Sequence, residues 1–293
     1  MQKILIIAII LFFSSVAQAQ IHTSTSEIDV KSLKWNRYTK DNFVILSIDN
    51  SQGEWLNKNI ETIKKWCLIR WGFTENSDKP KKECRVFCVP NKNLLKKMFG
   101  LEQSKVEIRR KSDQIDMTVM WLVLDDEPLR NIPSYLTQIC LAEFEEKNNV
   151  VIGWWFKRGS SLLNGSVSDV RQQVASLSEV VKKDQPIFAS DKMFTLTEDE
   201  YFKETGEYKK IFDKQAIVLC MMLRKEFGEA KLQGFLRLSN KNDFQNVLHV
   251  VYGFSGFNHF DKQYIRYTRD LTADVSGGKT PDSYFEITPV VVK

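Results

Sequence analysis

The chain has 293 residues, with 42 Lys and Arg against 37 Asp and Glu, a net charge of +5. Hydrophobic residues make up 43% and charged residues 27%, a globular composition that excludes a disordered, collagenous or coiled-coil chain. The small positive excess is scattered and forms no long Lys/Arg run, so a nucleic-acid partner is not expected.

The first nineteen residues read as a secretory signal peptide. Lys3 supplies a short positive region, Ile4 to Phe13 an apolar stretch, and Ser14 to Ala19 a small-residue exit with Ala17 and Ala19 in A-x-A spacing. The apolar stretch is too short for a spanning helix, which needs roughly 20 residues. An exported chain starting at Gln20, periplasmic or extracellular and without a transmembrane segment, is therefore expected. Export permits disulfides, but Cys67, Cys84, Cys88, Cys140 and Cys220 are odd in number and dispersed. Their spacing fits buried small hydrophobes better than a disulfide framework or a zinc site, and leaves any pairing among them open.

Residues 20–34 are polar and read as a flexible lead-in. Phe43 to Ile48 is rich in β-branched residues and predicts a strand. Ser51-Gln52-Gly53-Glu54 has the capping-box pattern, and Leu56, Ile60, Ile63 and Cys67 recur on one face of a helix ending at Gly72. After a charged loop over Ser77 to Glu83, a strand at Cys84–Val89, a short helix around Leu94–Phe99, and strands at Val106–Arg109 and Met117–Leu124 are expected. From Asn131 the pattern turns helical. Ile132, Leu136, Ile139 and Cys140 make one stripe, with Pro133 in the first turn.

Further helices are predicted over Val167–Val181, over Lys209–Phe227 and over about Phe257–Leu271. The second of these is apolar on every side from Ala216 to Leu223, which marks a central helix, and Gly228 is its natural cap. Leu232, Phe235 and Leu236 form one more stripe, and Phe244, Val247, Leu248 and Val251 another. Phe285 to Thr288 reads as a terminal strand or tail. The class is α+β: a lobe over about 35–147 with about four strands and one long helix, then a mostly helical lobe over about 148–272 and a tail over 273–293.

Familiar catalytic patterns are missing. No G-x-S-x-G elbow, Walker loop or G-x-G-x-x-G occurs, and Gly278-Lys279-Thr280 matches only the end of a phosphate loop. His22, His249 and His259 stand apart from one another, and His249 reads as a satisfied helix residue. Glu143, Glu145 and Glu146 read as the solvated end of a helix. Trp154 and Trp155 read as core, the alternative being exposed aromatics of an interaction surface.

The order of the parts resembles the gluzincin metallopeptidases of the thermolysin-like superfamily, in particular the "peptidase MA-like" group. In those proteins an L-P-H-E-x-T-H helix carries two zinc-binding histidines and the general-base Glu. A later W-x-x-E-G segment carries the third ligand. Here Ile132-Pro133-Ser134-Tyr135-Leu136-Thr137-Gln138 stands in the first place and Trp155-Phe156-Lys157-Arg158-Gly159 in the second. The resemblance, spanning about Trp35 to Leu271, implies a zincin-like fold in which Ser134, Tyr135, Gln138 and Arg158 occupy the ligand and base positions.

None of these four can do the family's chemistry. Zinc needs about three N, S or O donors beside an open position. Ser and Gln are poor donors, Tyr135 removes the base, and a guanidinium at about 4 Å repels a unit charge by about 4 kcal/mol at an effective dielectric near 20. The expectation is an exported pseudoenzyme with no metal or other cofactor. Ser134, Gln138 and Arg158 would then line a cleft for a peptide or other anionic ligand, or Arg158 would pair internally with an acid. The alternative is a hydrolase or peptidase using other residues, such as Ser160 or Ser161.

Overall fold

The computed structural model describes residues 33–73, 82–111, 114–123, 128–182, 188–239, 243–281 and 285. The proposed signal peptide and most of the lead-in lie outside them, as do residues 286–288 of the expected terminal strand. The described residues form two compact units, one by those up to 61 and from 82 to 128, the other by those from 62 to 73 and from 129 onward. A helix that starts at Pro128 belongs with the second unit, and the long helix after Phe43–Ser47 passes from one unit to the other.

The first unit is built on β1 (Asn36–Lys40), β2 (Phe43–Ser47), β3 (Cys84–Val89), β4 (Lys105–Lys111) and β5 (Gln114–Val123). They form one sheet in the order β1-β2-β3-β5-β4. β2, β3 and β5 run parallel, with Ile45 opposite Val86 and Val86 opposite Met120. β1 and β4 close the two edges antiparallel. Parallel strands need crossover connections, which α1 (Asn50–Arg70) supplies between β2 and β3, and α2 (Lys92–Phe99) with β4 between β3 and β5.

Central strands are covered on both sides and so read as continuous apolar runs, as β3 and the second half of β5 do. Trp35, Phe87, Leu94, Leu95, Val119 and Trp121 are among the buried residues of one core cluster, in which the Phe87 and Trp121 rings stack at 6.4 Å. Leu33 joins the same cluster, so the lead-in ends two residues earlier than its polarity suggests.

Among the described residues there are five strands where the sequence suggested about four. β1 escaped because it is a polar edge strand with only half-buried or exposed residues. Its hairpin to β2 turns at Asp41, whose φ of 52° lies in the left-handed region that Asp tolerates better than most residues. The cap of α1 also differs from the expected capping box. Asp49, not Ser51, accepts the Gln52 amide at 2.9 Å, and its carboxylate takes the Ser51 hydroxyl at 2.7 Å. Those bonds hold the Asp49 carboxyl below the usual carboxylate range, the Gln52 amide contributing most.

In the second unit, α3 (Pro128–Asn148), α4 (Trp154–Leu163) and α5 (Val167–Lys182) precede two short helices, α6 (Ser190–Thr195) and α7 (Glu198–Lys203). Then come α8 (Gly206–Phe227), α9 (Glu229–Leu238), α10 (Phe244–Val247) with a π-helical turn over Leu248–Tyr252, and α11 (Phe257–Ser276). α8 is the central element: every residue from Gln215 to Leu223 is buried, and α4, α5, α9 and α11 all pack on it. Gly228 ends it with φ of 82°, as its position predicts.

Pro133 lies deeper in its helix than expected. α3 begins at Pro128, so Pro133 is past the first turn. Its carbonyl is busy, accepting the Thr137 hydroxyl at 2.7 Å and the Cys67 thiol at 3.4 Å. α11 runs on to Ser276, past the expected end at Leu271, and the turn expected at Ser276-Gly277-Gly278 follows it. All five cysteines are buried and none forms a disulfide. Burial pushes the Cys67 thiol up to about 12. Among the described residues no helix is long and apolar enough to cross a membrane.

Candidate functional site

The segments singled out by the resemblance lie on α3 and α4. Two contacts set how these helices run. Near one end Lys157 Nζ meets Glu145 at 2.7 Å, and at the other Asn164 Nδ2 donates to Thr137 Oγ1. The helices are therefore antiparallel, with Asn164 level with Thr137. Gln138 then stands about 10 Å, and Ser134 about 16 Å, along α3 from Glu145, at 1.5 Å per residue.

Ser134, Tyr135 and Gln138 are half-buried, while Leu136 and Thr137 between them are buried. Thr137 matches the resemblance and has a packing role. It is fully buried, donates to Pro133 in its own helix and accepts from Asn164 across to α4.

Arg158 begins at the Lys157–Glu145 end and turns toward α8. Its Nε donates to Asp213 Oδ1 at 2.8 Å and its Nη2 to Asp213 Oδ2 at 2.7 Å, a two-point pair. Tyr201 Oη donates to the same Oδ1 at 2.9 Å, and the guanidinium carbon lies 5.8 Å from the Tyr201 ring centroid. Burial works against the charge on Arg158, but the hydrogen bond and charge of Asp213 outweigh it and raise its pKa above the ordinary guanidinium value. Burial is also the main cause that pushes the Tyr201 phenol up to about 12.

The close approach of α4 to α8 makes this pair possible. Gly159 sits where an added Cβ would fall on the Ala216 carbonyl and 2.7 Å from Cys220 Sγ. Asp213, Ala216 and Cys220 recur at helical spacing on the face of α8 that receives α4. Nothing local in the sequence marks Asp213 or Tyr201 as partners of Arg158. The signal was the run of small residues along that face, which allows two backbones to approach.

Glu145 corrects the reading of this helix end as solvated. It is 6% exposed, accepts the Ile152 amide at 2.7 Å and pairs with Lys157. Glu143 likewise pairs with the buried Lys64 at 2.7 Å. Glu145 closes the α3–α4 corner from inside, while Glu143 ties α3 to α1. Trp155 is core, packed on Phe156, Phe194 and Phe235, whereas Trp154 is half-buried against Tyr201 and Phe202.

The residues of the alternative hydrolase are also accounted for. Ser160 is buried and donates to the Phe156 carbonyl of its own helix at 2.5 Å. Ser161 is buried as well, with its hydroxyl unpaired among the described residues. His249 Nδ1 lies 3.2 Å from the Phe254 carbonyl and His259 Nδ1 3.4 Å from the Ser255 hydroxyl, while His22 lies outside the described residues. Among the described residues no three His, Cys, Asp or Glu side chains come together in a way that could hold a metal ion.

No protein-family model matches the chain, and no curated protein sequence matches it.

Proposed function

We propose that the protein is an exported, non-catalytic relative of the gluzincin metallopeptidases, a pseudoenzyme whose helices serve binding or structure. The observation that supports this reading is the Arg158–Asp213 pair, with Tyr201 completing it. A zinc peptidase needs a carboxylate donor at the place of Arg158, aimed at the partner helix. Here a guanidinium stands in that place, and a carboxylate from α8 already occupies both arms of its fork.

The same pair weighs against Arg158 as a receptor for peptide carboxylates. An incoming anion would have to displace Asp213 and leave that acid, 15% exposed, without its cation. At the level of Gln138 the neighbouring position, just past the end of α4, belongs to Asn164, a neutral amide bonded to Thr137. Hydroxyl, phenol and amide groups on α3 offer neither a metal donor set nor a general base.

The test is metal content and proteolysis of the exported protein. After equilibration with zinc and removal of the excess, far less than one zinc per chain should remain, and casein cleavage should be absent with and without chelator. Stoichiometric zinc together with chelator-sensitive cleavage would refute the reading. N-terminal sequencing of the exported chain should begin at Gln20.

A further inference from the structure

The last turn of α1 carries a second, unrelated arginine whose surroundings are unlike those of Arg158. Arg70 is 7% exposed, and its Nε and Nη1 are buried with no hydrogen-bond partner among the described residues. Those two atoms carry three N–H donors, and a guanidinium keeps its charge in proteins. A carboxylate beside it is what such a group ordinarily has, and it has none among the described residues.

Two indole rings flank Arg70 in place of an acid. Its guanidinium carbon lies 5.6 Å from the Trp66 ring centroid and 5.4 Å from that of Trp71. The Trp71 indole N–H is itself buried and unpaired. The guanidinium of Arg224, in the last turn of α8, lies 5.8 Å from the same Trp71 ring. Arg224 is balanced by Glu229, which takes its Nη2 at 2.9 Å and its Nε at 3.2 Å. Glu229 therefore neutralises Arg224, while among the described residues no acid neutralises Arg70, which also feels the charge of Lys225. Burial and the like charge of Arg224 both push the Arg70 pKa well below its ordinary value, the mark of a cation lacking its counter-charge.

The geometry points to a binding site for a small organic carboxylate at Arg70, with the Trp71 indole N–H as a further donor and the Trp66 and Trp71 rings as its walls. Arg70 is a single guanidinium with Nε and Nη1 unpartnered among the described residues, so one added negative charge suits it better than the two of a phosphate. Planar donors on the guanidinium suit two coplanar carboxylate oxygens, and aromatic walls accept the apolar part of the acid. Within the site Arg224 raises the local potential without binding the ligand itself, its own fork being filled. This site is independent of the reading of Arg158, which lies on another helix with another partner.

The experiment is a titration of the whole exported protein with formate and acetate at constant ionic strength, read by thermal midpoint and tryptophan fluorescence. Both should change saturably, with chloride and phosphate at least tenfold weaker. Arg70→Met should abolish the response, and Arg70→Lys, which keeps the charge but loses the planar fork, should weaken it at least tenfold. Should Arg70→Met not fold, the Arg70 Nε–H resonance of the unmodified protein takes its place, and formate should shift it. Equal responses to chloride, a stronger response to phosphate, an unchanged response in Arg70→Met or an unmoved Nε–H resonance would each overturn the assignment.

Discussion

Arg158 keeps its side chain 35% exposed and gives two nitrogens to Asp213, which is 15% exposed. Partial burial makes removing one partner costlier than at a surface ion pair and less costly than at a fully buried one. Asp213→Ala strands both the guanidinium and the Tyr201 hydroxyl, and should cost about 2 kcal/mol in urea unfolding. Pairing Asp213→Leu with Arg158→Met should recover much of that loss, since no charge is then left without a partner. If the single substitution were neutral, the pair would be a surface contact without structural weight. Arg158 was visible in the sequence as a departure from the motif that the segment resembles. Its partner was not, because Asp213 lies far along the chain and only the meeting of two helices joins them.

Helices α4 and α8 meet through Gly159, and this contact carries its own prediction. In Gly159→Ala the new methyl would stand 2.6 Å from the Ala216 carbonyl carbon, which is backbone and cannot move aside. Overpacking of this kind costs about 1–3 kcal/mol, and the Arg158–Asp213 pair, one residue away, should be disturbed with it. Gly234→Ala is the counterpart: Gly234 lies inside α9 with no atom within 4 Å of its would-be Cβ. That substitution should stabilise by about 1 kcal/mol through helix propensity alone. Opposite shifts in thermal midpoint are expected; equal shifts would mean that α4 and α8 do not approach as closely as described. The long helices were legible because their apolar stripes follow the helical repeat. α6 and α7 were not, since at six residues each they are too short to show one. The polar edge strand β1 hid for a related reason, having no buried face to alternate with.

Across the whole molecule, buried phenols govern the response to alkali. Tyr201 is pushed up to about 12, chiefly by burial, and burial also raises Tyr252 and Tyr264. An unfolded tyrosine ionises near 10, so on raising the pH the unfolded chain releases these protons before the folded one does. The stability contributed by the neutral phenols is whole below about pH 10 and is lost as the pH climbs toward 12. Unfolding midpoints in urea should therefore fall steeply above about pH 10, and less steeply in Tyr201→Phe. Identical alkaline slopes in the two proteins would show that this phenol titrates freely. The same burial explains why five cysteines in a chain expected to be exported remain thiols. Each is enclosed, and Cys84 and Cys88 lie along one strand instead of facing each other.

The sequence by itself determined the alternation of strands and helices, the central place of Ala216–Leu223, and the hydroxyl, phenol, amide and guanidinium that Ser134, Tyr135, Gln138 and Arg158 carry. These are matters of local repeat and side-chain chemistry, which need no knowledge of what lies opposite. Tertiary structure alone decided which acid Arg158 holds, that Glu145 closes a corner from within, and that Arg70 lies against two indoles with no acid beside it among the described residues. Charges find or miss their partners through contacts between residues remote in the chain. Burial then makes a found partner stabilising and a missing one costly.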